Sequence, residues 1–213
     1  MAVLLTLAVL IATAAAYPSG APDDACSTLD PVSHGPSTAT GNAPYALTFS
    51  SSTYQPNQVI TVQLQGSKFK GFLIVGRKSD GSSTDPIGYF INPTSDSQLI
   101  CLNSTTGNGI THTDNSVKAG LTFSWKAPSS SVGDVVFHYT IVRGGAPSKD
   151  MNPADYYKDE QSAAIKPAST ILLYKLQKAS RVSKMHKPRY NKADFMIQPN
   201  QVRKSSLPSI KIQ

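Results

Sequence analysis

Two runs between residues 121 and 142 constrain this chain more than any other feature. In the first, Leu121, Phe123 and Trp125 alternate with Thr122, Ser124 and Lys126; in the second, Val135, Phe137, Tyr139 and Ile141 repeat the pattern. Successive side chains on a strand point to opposite faces, so each run presents one strongly apolar face. Val136 and Val142 make the other face of the second run apolar as well, which predicts a central strand. Ala127-Pro128 ends the first run, because proline brings no ladder donor, and residues 129–133 form the turn. Trp125, the only tryptophan, is the natural centre of a core between two sheets.

Upstream the same signal recurs at short intervals. Residues 45–50 place Tyr45, Leu47 and Phe49 on one face, and residues 59–64 place Ile60, Val62 and Leu64 inward. Phe72-Leu73-Ile74-Val75 is a continuous apolar run, short and β-branched enough for a buried strand. Residues 87–91 and 99–102 are further strands, and another begins at Ile110. Tyr54-Gln55-Pro56-Asn57, Ser79-Asp80-Gly81-Ser82 and Gly107-Asn108-Gly109 read as turns between them. Eight short strands at this spacing predict an all-β fold, an immunoglobulin-like antiparallel β-sandwich. A charged content of only 15%, with abundant Ser, Thr, Gly, Pro and Asn, suits short strands joined by turns rather than long surface helices. Residues 17–44 read as an irregular N-terminal segment pinned at Cys26. Past Val142 the pattern fails, and residues 154–165 hold either a short helical turn or one last edge strand.

Particular residues in these runs also carry a family likeness. Cys101, the Thr111-His112 pair, the Phe123-Ser124-Trp125-Lys126-Ala127-Pro128 run and Gly133-Asp134-Val135-Val136-Phe137 resemble the second half of a reeler (reelin-type) domain. Cys26, Pro31, His34-Gly35 and Tyr54-Gln55-Pro56 resemble its first half, so the likeness covers residues 17–142. Such domains begin reelin and the spondins, occur in ferric-chelate reductase-like membrane proteins, and stand alone in small secreted defence proteins of invertebrates. The resemblance implies the same β-sandwich, closed by an aromatic-bearing strand for which Tyr156-Tyr157 is the candidate. It does not imply reductase activity. In those proteins electron transfer is expected from haem-binding transmembrane helices, and no stretch after residue 16 is apolar enough to cross a bilayer.

Residues 1–16 have a short apolar core ending in small residues of the A-x-A kind, and read as a cleaved signal peptide. The expected division is a signal peptide over 1–16, a sandwich domain over 17–165 and a basic tail over 166–213, with the mature protein secreted, extracellular and without a transmembrane segment. A secreted chain with two cysteines tends to pair them, so Cys26 and Cys101 are the candidate disulfide; two free or intermolecular thiols are the alternative. Asn103-Ser104-Thr105 is the only N-x-S/T triplet with a permitted middle residue, which makes Asn103 the candidate glycosylation site against the reading of a chance sequon.

The net charge of +7 is unevenly placed. Eleven of the twenty Lys and Arg, but one of the thirteen acids, fall from Lys166 onward, so the tail carries +10 and leaves −3 on the remainder. Ser169 or Thr170 can cap a helix over 171–186, in which Lys175, Lys178, Arg181 and Lys184 flank a stripe of Leu172, Leu176, Ala179 and Val182. From Pro188 the composition predicts disorder. Such a segment suits an anionic membrane surface or a sulfated or phosphorylated polymer; the plainer reading is a solvated tail with no partner. Nucleic acid is not expected as a physiological partner, since a signal peptide removes the protein from the cell interior and aromatic interleaving is sparse.

No G-x-S-x-G elbow, phosphate loop, dinucleotide fingerprint or H-E-x-x-H pair is present, and Asp80, Asp85, Asp96 and Asp114 sit in turn-like places. No enzymatic activity, cofactor or metal is expected. His112 and His138 lie in predicted strands, and a metal site would need a third ligand such as His34 or Asp114; the plainer reading makes His112 a hydrogen-bonded framework residue and His138 a partly exposed strand residue. With the resemblance, these features lead to a secreted, non-enzymatic innate-defence protein that binds microbial lipopolysaccharide or wall polysaccharide, antibacterial or promoting haemocyte responses. The alternative is an extracellular-matrix or biomineral-matrix protein binding glycosaminoglycan or another anionic polymer.

Overall fold

The computed structural model describes residues 17–31, 34–103, 106–144 and 155–169, with the side chains of 102, 103 and 106 outside that description. In chain order the elements are α1 (Ala25–Thr28), β1 (Tyr45–Phe49), β2 (Thr53–Tyr54), β3 (Val59–Gly66), β4 (Gly71–Lys78) and β5 (Tyr89–Ile91). They continue with β6 (Ser97–Asn103), β7 (Thr106–His112), β8 (Leu121–Lys126), β9 (Val135–Val142), β10 (Tyr156–Gln161) and β11 (Lys166–Pro167). Two antiparallel sheets form, ordered β1-β3-β8-β5 and β10-β9-β4-β7-β6, while β11 pairs in parallel with β2. The eight expected strands are all present, and β9 lies inside its sheet between β4 and β10.

The core lies between the two sheets, where the alternating apolar faces meet. Trp125 is fully buried at its centre, with its ring centroid 5.1 Å from that of Phe137 and 6.4 Å from that of Tyr54. Its indole N–H donates to the carbonyl of Ile87 across 3.3 Å, so the one polar atom of the ring is satisfied. Gly88 makes this packing possible. It holds φ at +64°, and a Cβ there would overlap the indole ring.

The continuous apolar run of β4 has a different cause. Phe72 and Ile74 face the inter-sheet core, whereas Leu73 and Val75 face outward into a second cluster with Ala25, Cys26, Leu29 and Ile100. The N-terminal segment therefore covers the outer face of the five-stranded sheet, so β4 is buried on both sides.

Four local expectations resolve differently or more fully. Gly107, Asn108 and Gly109 lie inside β7 rather than in a turn. A Cβ on Gly109 would stand 2.6 Å from Cys101 Sγ, and one on Gly107 2.5 Å from Leu99 Cβ, so these glycines serve close strand approach. Tyr54, read as a turn residue, forms β2 and is buried; its hydroxyl donates to Gly133 O at 2.7 Å and accepts from Val132 N–H at 3.1 Å. Residues 154–165 supply the edge strand rather than a helical turn: β10 pairs with β9, and Tyr156 and Tyr157 are both buried. The compact unit runs through Ser169, so Lys166, where the sequence marks the start of the tail, lies in β11 of this unit.

Candidate functional site

The N-terminal segment over residues 17–31 lies against the outer face of the five-stranded sheet as a strap, and side chains from four strands hold its backbone. Thr111 and His112, at the end of β7, act first. The Thr111 hydroxyl donates to Phe72 O at 2.6 Å and accepts from Ala21 N–H at 3.0 Å. His112 Nδ1 lies 3.2 Å from Phe72 N, and Nε2 lies 3.2 Å from Tyr17 O. A neutral ring protonated at Nε2 satisfies both contacts, accepting from Phe72 and donating to Tyr17. Burial lowers the pKa of His112, reinforced by the nearby Lys118 charge and opposed by its backbone hydrogen bonds and by Asp114.

Further along the strap, Gln98 on β6 donates to Ser19 O, and its amide also lies 3.1 Å from His112 O. Gly20 passes so close to Gln98 and to the His112 carbonyl that no Cβ fits. Arg77, at the end of β4, donates through Nη2 to Cys26 O at 3.0 Å and Ser27 O at 2.7 Å, taking up carbonyls that the single helical turn α1 leaves unpaired. Burial lowers the pKa of this guanidinium, and the charges of Asp159 and Asp85 oppose that shift. Thr140 on β9 donates to Leu29 O at 2.7 Å. The Cys26–Cys101 disulfide adds a covalent anchor, with Cα atoms 5.6 Å apart, and Asp23 Oδ1 accepts from Cys101 N–H at 3.2 Å. Cys101 adopts a left-handed φ of 59° beside this bond.

Two hollows border the strap. A cavity of about 40 Å³ lies between it and the sheet, lined by Ala25, Leu29, Phe72, Leu73, His112 and Val142, room for little more than water. On the other side of the disulfide an open bowl of about 490 Å³ carries Asp23, Asp24 and Asp85. One of these acids, Asp23, is already committed to Cys101.

Among the described residues the remaining histidines and acids do not converge. His138 on β9 is 14% exposed at its side chain and binds Asp159 Oδ1 through Nδ1 at 2.6 Å. His34 packs edge-on against Tyr156. Asp114 is held by Lys118 and lies well below the usual carboxylate pKa, chiefly through that hydrogen bond. Among the described residues no three His, Cys, Asp or Glu side chains gather as a metal-binding group, and no helix is long and apolar enough to cross a membrane. Asn103 ends β6, with its side chain and residues 104–105 outside the described residues. Residues 1–16 and the basic positions Lys175, Lys178, Arg181 and Lys184 also lie outside them. Sequence reading found Cys26, Cys101 and His112 but passed over Arg77, Gln98 and Thr140. A lone arginine ending an otherwise buried strand, and a threonine inside an apolar one, are the signals that mark two of these.

A family model described as the Reeler domain matches residues 24–146. The chain belongs to the reeler-domain family. Its Thr111-His112 pair thus gains a physical role, since those two side chains fasten the strap to the sheet of the reeler domain. The chain is 31% identical over 142 residues to "Ferric-chelate reductase 1" of Mus musculus, covering 66% of this chain and 24% of that protein. It is 31% identical over 154 residues to "Putative defense protein Hdd11-like" of Samia ricini, covering 67% of this chain and 87% of that one. The chain therefore spans about a quarter of the reductase-named relative and most of the defence-named one. The crystal structure of the human F-spondin reeler domain aligns with a TM-score of 0.48 at 16% identity, over 63% of this chain and 96% of that one.

Proposed function

We propose that this protein is a secreted, non-enzymatic defence protein whose basic C-terminal segment binds microbial surfaces bearing lipopolysaccharide or anionic wall polymers. The observation that carries this reading is the likeness to a relative named for defence, 31% identical and matched over 87% of its length. Two features support it. The strap and its disulfide suit a domain that works in an oxidising, extracellular medium. The charge of +10 from Lys166 onward, against −3 before it, provides an anion-binding element. Asn103, at the end of β6, is the position at which an N-linked glycan is expected on the secreted chain.

Binding of the mature chain to lipopolysaccharide, heparin and anionic vesicles, with and without residues 170–213, tests the proposal. Ending the chain after Ser169 keeps every described strand, β11 included. The full chain should bind, the shortened chain should bind weakly, and raised salt should weaken the full chain's binding. Reversing the charges of Lys175, Lys178, Arg181 and Lys184 together should mimic the truncation. Equal binding by the two lengths would place recognition on the sandwich and sink the role given to the tail. Binding to heparin with none to lipopolysaccharide would favour the extracellular-matrix role instead.

A further inference from the structure

The outward face of the four-stranded sheet takes no part in the strap, the disulfide or the core. Cross-strand register sets its side chains in rows. Thr48, Gln63 and Thr122 form one row, Thr61, Ser124 and Ile91 the next, and Val59, Lys126 and Tyr89 the third. These positions alternate with the buried ones, and each is exposed or half-exposed. On such a face neighbouring strands lie about 4.8 Å apart and successive rows about 7 Å apart.

The chemistry of the face differs from that of a merely solvated sheet. Its rows carry one charge, Lys126, and no carboxylate, whereas the edge strand β10 shows Lys158, Asp159 and Glu160 to solvent. Its polar groups are hydroxyls and carboxamides. Thr48 Oγ1 and Gln65 Nε2 lie 3.4 and 3.5 Å from Gln63 Oε1, long contacts for hydrogen bonds, and the hydroxyls of Thr61, Thr122 and Ser124 make no hydrogen bond with another described residue. At one corner Lys126 Nζ stands over the Tyr89 ring, 5.5 Å from its centroid, with Val59, 49% exposed, on the other side of Lys126 in the row.

We propose that this face binds an extended, neutral polysaccharide. Hydroxyls and carboxamides both donate and accept, as sugar hydroxyls do, and neither partner has to desolvate a charge. Val59, and the part of the half-exposed Tyr89 ring that Lys126 leaves uncovered, offer apolar surface to the carbon face of a sugar ring. A row-patterned sheet surface meets a chain along its length rather than enclosing one sugar, and a polymer returns the same group to each row, so weak contacts combine. An anionic polymer would find a single cation here. The inference deepens the recognition of microbial surfaces proposed above, on which it rests for its choice of ligand, but it assigns neutral polymer to the sandwich and leaves anionic surfaces to the tail.

Depletion of the full-length chain from solution by insoluble chitin and by cellulose, at about 0.1 M and about 1 M NaCl, tests it. The expected result is binding to at least one polymer that is unchanged between the two salt concentrations. It should weaken about tenfold in the triple variant Gln63→Ala/Thr122→Ala/Tyr89→Ala. A thermal midpoint shows whether that variant folds. If it does not, Gln63→Glu, which keeps the shape of the side chain and adds a carboxylate, should weaken binding at a matched midpoint. Absence of binding to both polymers, loss of binding at high salt, or a folded variant that binds like the parent overturns the proposal. Those results leave the tail hypothesis untouched, because it is read on lipopolysaccharide and on salt sensitivity.

Discussion

Lys118 Nζ lies 2.7 Å from Asp114 Oδ1, and the same ammonium meets the carbonyls of Asp114 at 2.7 Å, Ser116 at 3.0 Å and Lys70 at 3.3 Å. Its side chain is 2% exposed, whereas that of Asp114 is 56% exposed. The loop between β7 and β8 is thus wound around a buried cation, and the Ser116 hydroxyl completes its shell at 3.2 Å.

The two ends of this pair should respond unequally to substitution. Lys118→Met removes the donor common to the whole shell and leaves inward-facing oxygens without a partner, at a cost of about 1–3 kcal/mol. Asp114→Asn keeps an oxygen acceptor and leaves the three carbonyls in place, so it should be milder. Chemical denaturation of both variants reads the order. If Asp114→Asn proved the more damaging, the ion pair rather than the carbonyl shell would be organising the loop.

The packing of Trp125 against Gly88 gives a second pair of expectations. Trp125→Ala empties the centre of the core and should cost about 3–5 kcal/mol. Gly88→Ala adds only a methyl group, yet it should cost at least about 2 kcal/mol, because the left-handed φ and the adjacent indole both resist a Cβ. Near-ultraviolet circular dichroism would report the displaced indole directly. An unchanged tryptophan signal and stability in Gly88→Ala would mean that β5 can move away from the ring.

Much of this architecture is legible in the sequence because alternation is a local signal. The Leu121-Phe123-Trp125 and Val135-Phe137-Tyr139-Ile141 runs each need only their own residues to declare an inward face, and both faces turn inward as read, with Leu121 alone only partly buried. The turn reading at Gly107-Asn108-Gly109 failed because glycine marks close approach as readily as it marks turns, and the atoms approached, Leu99 Cβ and Cys101 Sγ, belong to another strand. The strap was legible only at its cysteine. Arg77 reaches Cys26 across 51 residues and Thr140 reaches Leu29 across 111, and no sequence window joins partners so far apart. Tyr54 is hidden for the same reason, since its acceptor, Gly133, lies 79 residues away.

The strap should also respond to acid, with a sign set by His112. Burial holds the pKa of this histidine below its ordinary value, so the neutral ring is favoured in the folded state. Above the unfolded value, near 6.5, its contribution to stability is complete. As pH falls below that value the unfolded chain takes up the proton first, and stability declines until the folded pKa is passed. Protonation also removes the Nδ1 lone pair that accepts from Phe72, weakening a contact beside the one that holds Tyr17. The disulfide keeps the other end of the strap closed, so the Cys26→Ser/Cys101→Ser variant should lose about 2–5 kcal/mol at neutral pH and show the greater local opening in acid. Hydrogen exchange between pH 7.5 and 5, corrected for intrinsic rates, should report falling protection over residues 17–31 while β4 and β9 stay protected at their mutual ladder. His112→Gln, which can offer an oxygen acceptor to Phe72 and an N–H donor to Tyr17 but does not titrate, should lose the pH dependence of the strap while keeping it in place. An unchanged acid response in His112→Gln would mean that His112 does not set the pH dependence of the strap.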